Sequence, residues 1–139
     1  MELVLHATPE EVMRAVEALQ EFAPTQGVPD KLVFGLALAL EECASNVVNH
    51  GLQRNPAKTF KVRFGREGDA FTIELRDNGP AFDPTAARPG KVRAEDDDLP
   101  GGWGIELMRR QMNEISYRRE SGENVLCLRK RLVSDGPAS

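Results

Sequence analysis

Two short runs of this chain alternate strictly. Phe60, Val62 and Phe64 are separated by Lys61 and Arg63, and Phe71, Ile73 and Leu75 are separated by Thr72, Glu74 and Arg76. Successive side chains of a strand point to opposite faces, so each run makes a strand with one apolar face and one wet face. Gly65–Asp69 between them reads as a hairpin loop, which sets the two strands antiparallel. A sheet with a single apolar face must be covered, and the rest of the chain has to supply the cover.

It does so with helices. Thr8-Pro9-Glu10-Glu11 has the form of a helix start, with Thr8 as N-cap, Pro9 at the first helical position and Glu11 placed for a capping box. Val12, Val16, Leu19 and Phe22 follow at helical spacing, and the helix is expected to end near Pro24 to Gly27. A second helix is predicted from Pro29-Asp30 to Gly51. Leu36, Leu40, Cys43 and Val47 form its core stripe, and a second stripe, Leu38, Glu42, Asn46 and Asn49, turns polar toward the C-terminal end. Leu3–His6 forms a short entry strand. Two more strands are predicted near Ile115–Arg118 and Val125–Leu132, turning at Ser121-Gly122. Periodicity is lost from Asn78 to Trp103, and a third helix is expected from Gly104 to about Met112. Helices first, strands after, one helix inserted: this is an α+β pattern, a mixed or mostly antiparallel sheet with helices on one face.

At 139 residues the chain suits one domain. Its net charge of -4 argues against a nucleic-acid surface, and the basic clusters Arg109-Arg110 and Arg129-Lys130-Arg131 read as solvated faces. Cys43 and Cys127 lack a CxxC partner and read as small core residues. No signal peptide is expected, and the apolar stretch Leu32–Leu40 is too short to span a bilayer. No membrane association is expected.

Three constellations carry chemistry. Glu42 and Asn46 stand four residues apart on one helix face, where an amide oxygen can ligate a phosphate-bridging magnesium ion and a carboxylate can take a proton. Asp77-Asn78-Gly79 ends an alternating strand, where a carboxylate can accept from an exocyclic amine and a glycine lets a flat base come close. Pro100-Gly101-Gly102-Trp103-Gly104 leads into a helix, a place where free amides and the helix dipole favour an anion. Singly, these read equally as a wet helix face, an Asx turn and a linker.

Their order and spacing resemble the three boxes of the histidine-kinase-like (GHKL) ATPases, which implies a Bergerat fold: a two-layer α/β sandwich with a long ATP lid between the last two boxes. Glu42-Cys43-Ala44-Ser45-Asn46-Val47-Val48-Asn49-His50-Gly51, the Phe82-Asp83-Pro84 after Gly79, and the chain length are similar to the bacterial anti-sigma factor serine/threonine kinases. The similarity runs from Leu3 to Leu132. It implies a histidine-kinase-like ATP-binding domain over residues 1–133, with 134–139 as a frayed tail. By the same resemblance Glu42 is the general base, Asn46 binds Mg²⁺, and Asp77 and Gly79 hold adenine. Asn49, Ala81, Phe82, Gly101, Gly102, Trp103, Gly104 and Ile105 complete the ATP site. Pro80-Ala81 departs from relatives that carry a second glycine there, which stiffens the loop. The implied activity is transfer of the ATP γ-phosphoryl to a Ser or Thr of a STAS-type (anti-anti-sigma) antagonist, with sequestration of a sigma factor, in the cytoplasm; a homodimer is also implied. A nucleotide-responsive module without kinase activity and a detached histidine-kinase catalytic domain stay open. His50 reads as a carbonyl cap rather than a phosphoacceptor.

Overall fold

The computed structural model describes residues 1–83 and 112–132. The elements run β1 (Glu2–His6), α1 (Pro9–Thr25), α2 (Asp30–Asn46), a π-helical turn (Val47–Gly51), β2 (Thr59–Glu67), β3 (Ala70–Asp77), β4 (Glu114–Glu120) and β5 (Glu123–Arg131). The five described strands form one sheet in the order β1-β2-β3-β5-β4. Every pairing is antiparallel, the mostly antiparallel expectation carried to its limit. Fold class and the placement of the two described α-helices agree with the sequence pattern. The helix expected from Gly104 to about Met112 lies outside the described residues up to position 111, as do Arg109-Arg110 and the tail 134–139.

Local chemistry explains the boundaries. The Thr8 hydroxyl accepts the Glu11 N–H at 3.2 Å, closing the N-terminus of α1. The capping box is altered, because the Glu11 carboxylate accepts the N–H of His6 rather than that of Thr8. At the other end Gly27 takes φ +80°, and its N–H and that of Val28 return to Pro24 and Ala23, a Schellman stop. The β2–β3 hairpin is tighter than expected: pairing continues to Glu67–Ala70, so Gly68-Asp69 alone turn the chain. Gly68 supplies the positive φ that a two-residue turn needs.

The core lies between the helices and one sheet face. Leu5, Phe60, Val62, Phe64, Phe71, Ile73, Leu75 and Leu128 meet Leu19, Leu36, Leu40 and Cys43. Phe22, Phe64 and Phe71 pack as a tilted trio with centroids 5.5–6.4 Å apart. The opposite face is open and charged. There Glu74 meets Arg76 at 3.1 Å and Arg63 and Arg118 at 3.9 Å, and Arg129 meets Glu67 at 3.5 Å. Cys127 sits half-buried on this open face rather than in the core, its thiol 3.8 Å from Glu74 Oε2. With the π turn included, Asp30–Gly51 is a 22-residue helical run whose most apolar 18 residues have a mean hydropathy of 1.3, long and apolar enough by composition to cross a membrane. That length is reached only by continuing past the apolar stretch Leu32–Leu40 through Glu41, Glu42 and the π turn. The buried side of the run faces α1 and the sheet, and its last turns carry polar side chains, the arrangement of a core helix.

Candidate functional site

The site begins where α2 changes character. Leu36, Leu40, Cys43 and Ala44 hold the helix to the core, so the neighbouring stripe is brought to the end of β3, and Asn46 is 8% exposed. The Asn46 amide lies close enough to the Glu42 carboxyl to hold its pKa down, the relation that an i, i+4 spacing permits. Among the described residues two buried side-chain atoms find no partner, Glu42 Oε2 and Asn46 Oδ1. Buried polar atoms are nearly always satisfied, so an unpartnered pair marks a place built for something else. Desolvation raises the Glu42 pKa above 4.5, opposed by the Asn46 amide and reinforced by the charge of Glu41. Glu41 itself is exposed. An amide oxygen with no partner is the hard donor a magnesium ion takes, and one or two protein ligands suffice where phosphates supply the rest.

Beyond Asn46 the helix widens into the π turn, a feature frequent at functional sites. Gln53 and Arg54 follow at φ +53° and +57°. Arg54 folds back so that its Nε donates to Asn49 Oδ1 at 2.8 Å. That leaves Asn49 presenting only its N–H groups, a donor beside the acceptor Asn46. His50 is exposed on the same turn, and its ring bonds none of the described residues, so the expected carbonyl cap is not made.

Across from the turn stands Asp77, the last residue of β3, 7% exposed. Its Oδ1 accepts the N–H of Gly79 at 2.8 Å. Gly79 is needed for space: a Cβ there would lie 2.5 Å from Gly51 O, 2.9 Å from Gly51 C and 3.0 Å from Asp77 Oδ1. The loop is thus docked against the end of the π turn, and the bare Cα expected to face a base instead faces Gly51. A cavity of about 40 Å³ opens here, lined by Asn46, Gly51, Asp77, Pro80, Phe82 and Asn124 among others. A larger concavity, about 490 Å³, lies on the open sheet face. There Arg63 pairs with Glu74 and Arg129 with Glu67, whereas the smaller cavity adjoins Asn46 with its orphaned oxygen, and we place the functional site there.

Asn124 is the residue the sequence reading missed. The expected strand began at Val125; β5 begins at Glu123 and sets Asn124 opposite Asp77. It is 6% exposed and bonds Asp77, Gly79, Pro80, Phe82, Tyr117 and Arg119. A signal was present: Asn124, Leu126 and Leu128 fall on alternate positions, so a polar side chain interrupts an apolar stripe.

Residues 5–130 match the family described as histidine kinase-like ATPase domain. The chain belongs to that family. Among curated relatives it is 35% identical over 99 residues to the serine/threonine-protein kinase BtrW of Bordetella bronchiseptica, covering 70% of each chain. It is 28% identical to the serine-protein kinase RsbW of Bacillus licheniformis, covering 98% of this chain and 90% of the relative. Among solved structures, the RsbU and RsbW domains of Rv1364c from Mycobacterium tuberculosis superpose with a TM-score of 0.69 at 19% identity, over 95% of this chain and 32% of that one. The SiaB-SiaC complex from Pseudomonas aeruginosa gives 0.61 at 14% identity, over 94% and 88%.

Within this histidine kinase-like domain the structure brings Asn46, Asp77, Phe82 and Asn124 to one cavity, with Glu42 one helical turn from Asn46. Ala81 is exposed at its rim, and Phe82 is half exposed, its N–H reaching Asn124 Oδ1 at 3.3 Å. Gly101, Gly102, Trp103, Gly104 and Ile105 lie outside the described residues. No group of three metal-ligating His, Cys, Asp or Glu occurs among the described residues.

Proposed function

We propose that this chain is an ATP-dependent serine/threonine protein kinase of the anti-sigma type, acting through the site of Glu42, Asn46 and Asp77. The observation that carries it is the buried pair of unpartnered oxygens, Glu42 Oε2 and Asn46 Oδ1, beside the Asp77 cavity. The printed names of the relatives, serine and serine/threonine kinases, support the choice of acceptor.

Asp77 receives the exocyclic amine of adenine, and Gly102 and Gly104 direct backbone amides to the phosphates. Asn46 Oδ1 would help to hold Mg²⁺, which when bound would neutralise phosphate charge. Glu42 takes the proton of the acceptor hydroxyl as its oxygen bonds to the γ-phosphorus and ADP leaves. A carboxyl whose pKa desolvation has raised is a better base for that proton than an ordinary one. Asn49, fixed as a donor by Arg54, serves the anionic side. The acceptor is a STAS-domain antagonist, and the unphosphorylated antagonist competes for this protein with a sigma factor. The domain, residues 1–133, works in the cytoplasm and forms a homodimer.

Two measurements test this. Mg-ATP titrated calorimetrically should bind the wild type and bind Asp77→Ala about ten- to a hundredfold more weakly, the loss of a hydrogen bond to a charged group. Incubation of γ-labelled ATP with a STAS-domain antagonist should give acid-stable phosphoserine or phosphothreonine, lost in Glu42→Gln. An acid-labile product, or no product from a protein that binds ATP, refutes the kinase reading.

A further inference from the structure

Asn124 has a pattern of partners that fixes its orientation. Its Nδ2 donates to Asp77 Oδ1 at 3.0 Å, Pro80 O at 2.9 Å and Gly79 O at 3.4 Å, all atoms that can only accept. Its Oδ1 accepts from the Tyr117 hydroxyl, from Arg119 Nη1 at 3.0 Å and from the Phe82 N–H at 3.3 Å, which all donate. The amide has one orientation consistent with all six. Asp77 Oδ1 therefore holds two N–H groups, those of Gly79 and Asn124, while Oδ2 bonds none of the described residues. Arg119 also donates to Gly79 O at 2.8 Å, so the loop is tied to β4 as well as to β5.

We propose that Asn124, tied down by Tyr117 and Arg119, is a positioning residue for base selectivity, locking Asp77 so that its free oxygen reads a 6-amino purine and rejects a 6-oxo one. The proposal rests on the assignment of this cavity to ATP. A carboxylate whose first oxygen is committed to two donors offers only an acceptor on the second. An amine satisfies it. A 6-oxo group sets acceptor against acceptor in a desolvated place, and sites with such an unpaired polar group discriminate strongly. A mobile Asp77 would escape the clash by shifting to the N1–H that a 6-oxo purine carries. The Asn124 bond bars that shift, and selectivity therefore depends on a side chain that need not touch the base.

The test is calorimetric binding of ATP and of inosine triphosphate, which differs from ATP at the 6-position and N1, to the full chain and two variants. Asn124→Ala removes the lock. Arg119→Ala removes two of its ties from an exposed residue, which leaves core packing intact should the first variant fold poorly. The wild type should prefer ATP by about a hundredfold, the loss of a hydrogen bond to a charged group. In Asn124→Ala the ATP:ITP ratio should collapse about tenfold or more, and in Arg119→Ala by a smaller factor in the same direction. A purely structural role would weaken both nucleotides equally, so variants that keep the wild-type ratio overturn the proposal while leaving the ATP site standing. A wild type that binds neither nucleotide overturns the site and the proposal together.

Discussion

Gly79→Ala is the most direct probe of how the site is assembled. Its Cβ would fall 2.5 Å from the Gly51 carbonyl oxygen and 2.9 Å from its carbon, with Asp77 Oδ1 at 3.0 Å. Contacts under 3.0 Å to backbone cannot be relieved by a rotamer change, so either the loop lifts from the π turn or the turn shifts. Overpacking of this kind costs about 1–3 kcal/mol. In a domain of this size each kcal/mol lowers Tm by roughly 3–5 °C, so a loss of about 3–15 °C is expected in a thermal melt. The same movement carries Asp77 away from the cavity, and ATP affinity should fall about tenfold or more. Gly65→Ala is the matched control, since a Cβ there meets nothing within 4 Å and Gly65 sits inside β2. It should leave Tm and affinity unchanged or raise Tm slightly. A Gly79→Ala protein that melts and binds ATP like the wild type would refute the docking of the loop on Gly51.

Three other outcomes follow from the same geometry. Glu42→Gln should abolish transfer yet raise stability at neutral pH, since it removes a charge with an unpartnered buried oxygen. Because the folded pKa is raised, folded Glu42 retains its proton to higher pH than the unfolded chain does, so its ionisation costs stability only as pH rises through that window. The gain from Gln should thus shrink as melts are run toward and below pH 4.5, while wild-type transfer falls at a pH above the ordinary carboxylate range. Arg54→Ala frees Asn49 Oδ1 to turn toward the phosphates and should weaken ATP binding several-fold in a titration, with little change in Tm because Arg54 is exposed. Burial pushes both thiols upward, Cys43 fully buried and Cys127 half-buried beside Glu74, so a thiol reagent at neutral pH should modify them slowly until the protein unfolds.

What could be read from the sequence divides along the physics. Periodicity reports burial, so β2, β3, α1 and the core stripe of α2 were legible, and so was the polar stripe that carries Glu42 and Asn46. It does not report which loops dock on which. Gly79 was read as clearance for a base, yet its clearance is for Gly51, a residue 28 positions earlier that only the folded chain brings within 2.5 Å of a Cβ. The π turn is equally invisible, because Val47–Gly51 carries the same apolar spacing whether it closes with α or π bonds. Asn124 went unread for a related reason. The apolar run begins at Val125, whereas the type of hairpin, with φ of +53° and +80° at Ser121 and Gly122, lets pairing start at once at Glu120–Glu123. That register places Asn124 opposite Asp77 and makes it the centre of the network. The parts of the site set by helical spacing were therefore open to sequence reasoning. Those set by one-residue choices of register and close approach, which decide how the carboxylate is aimed, were not.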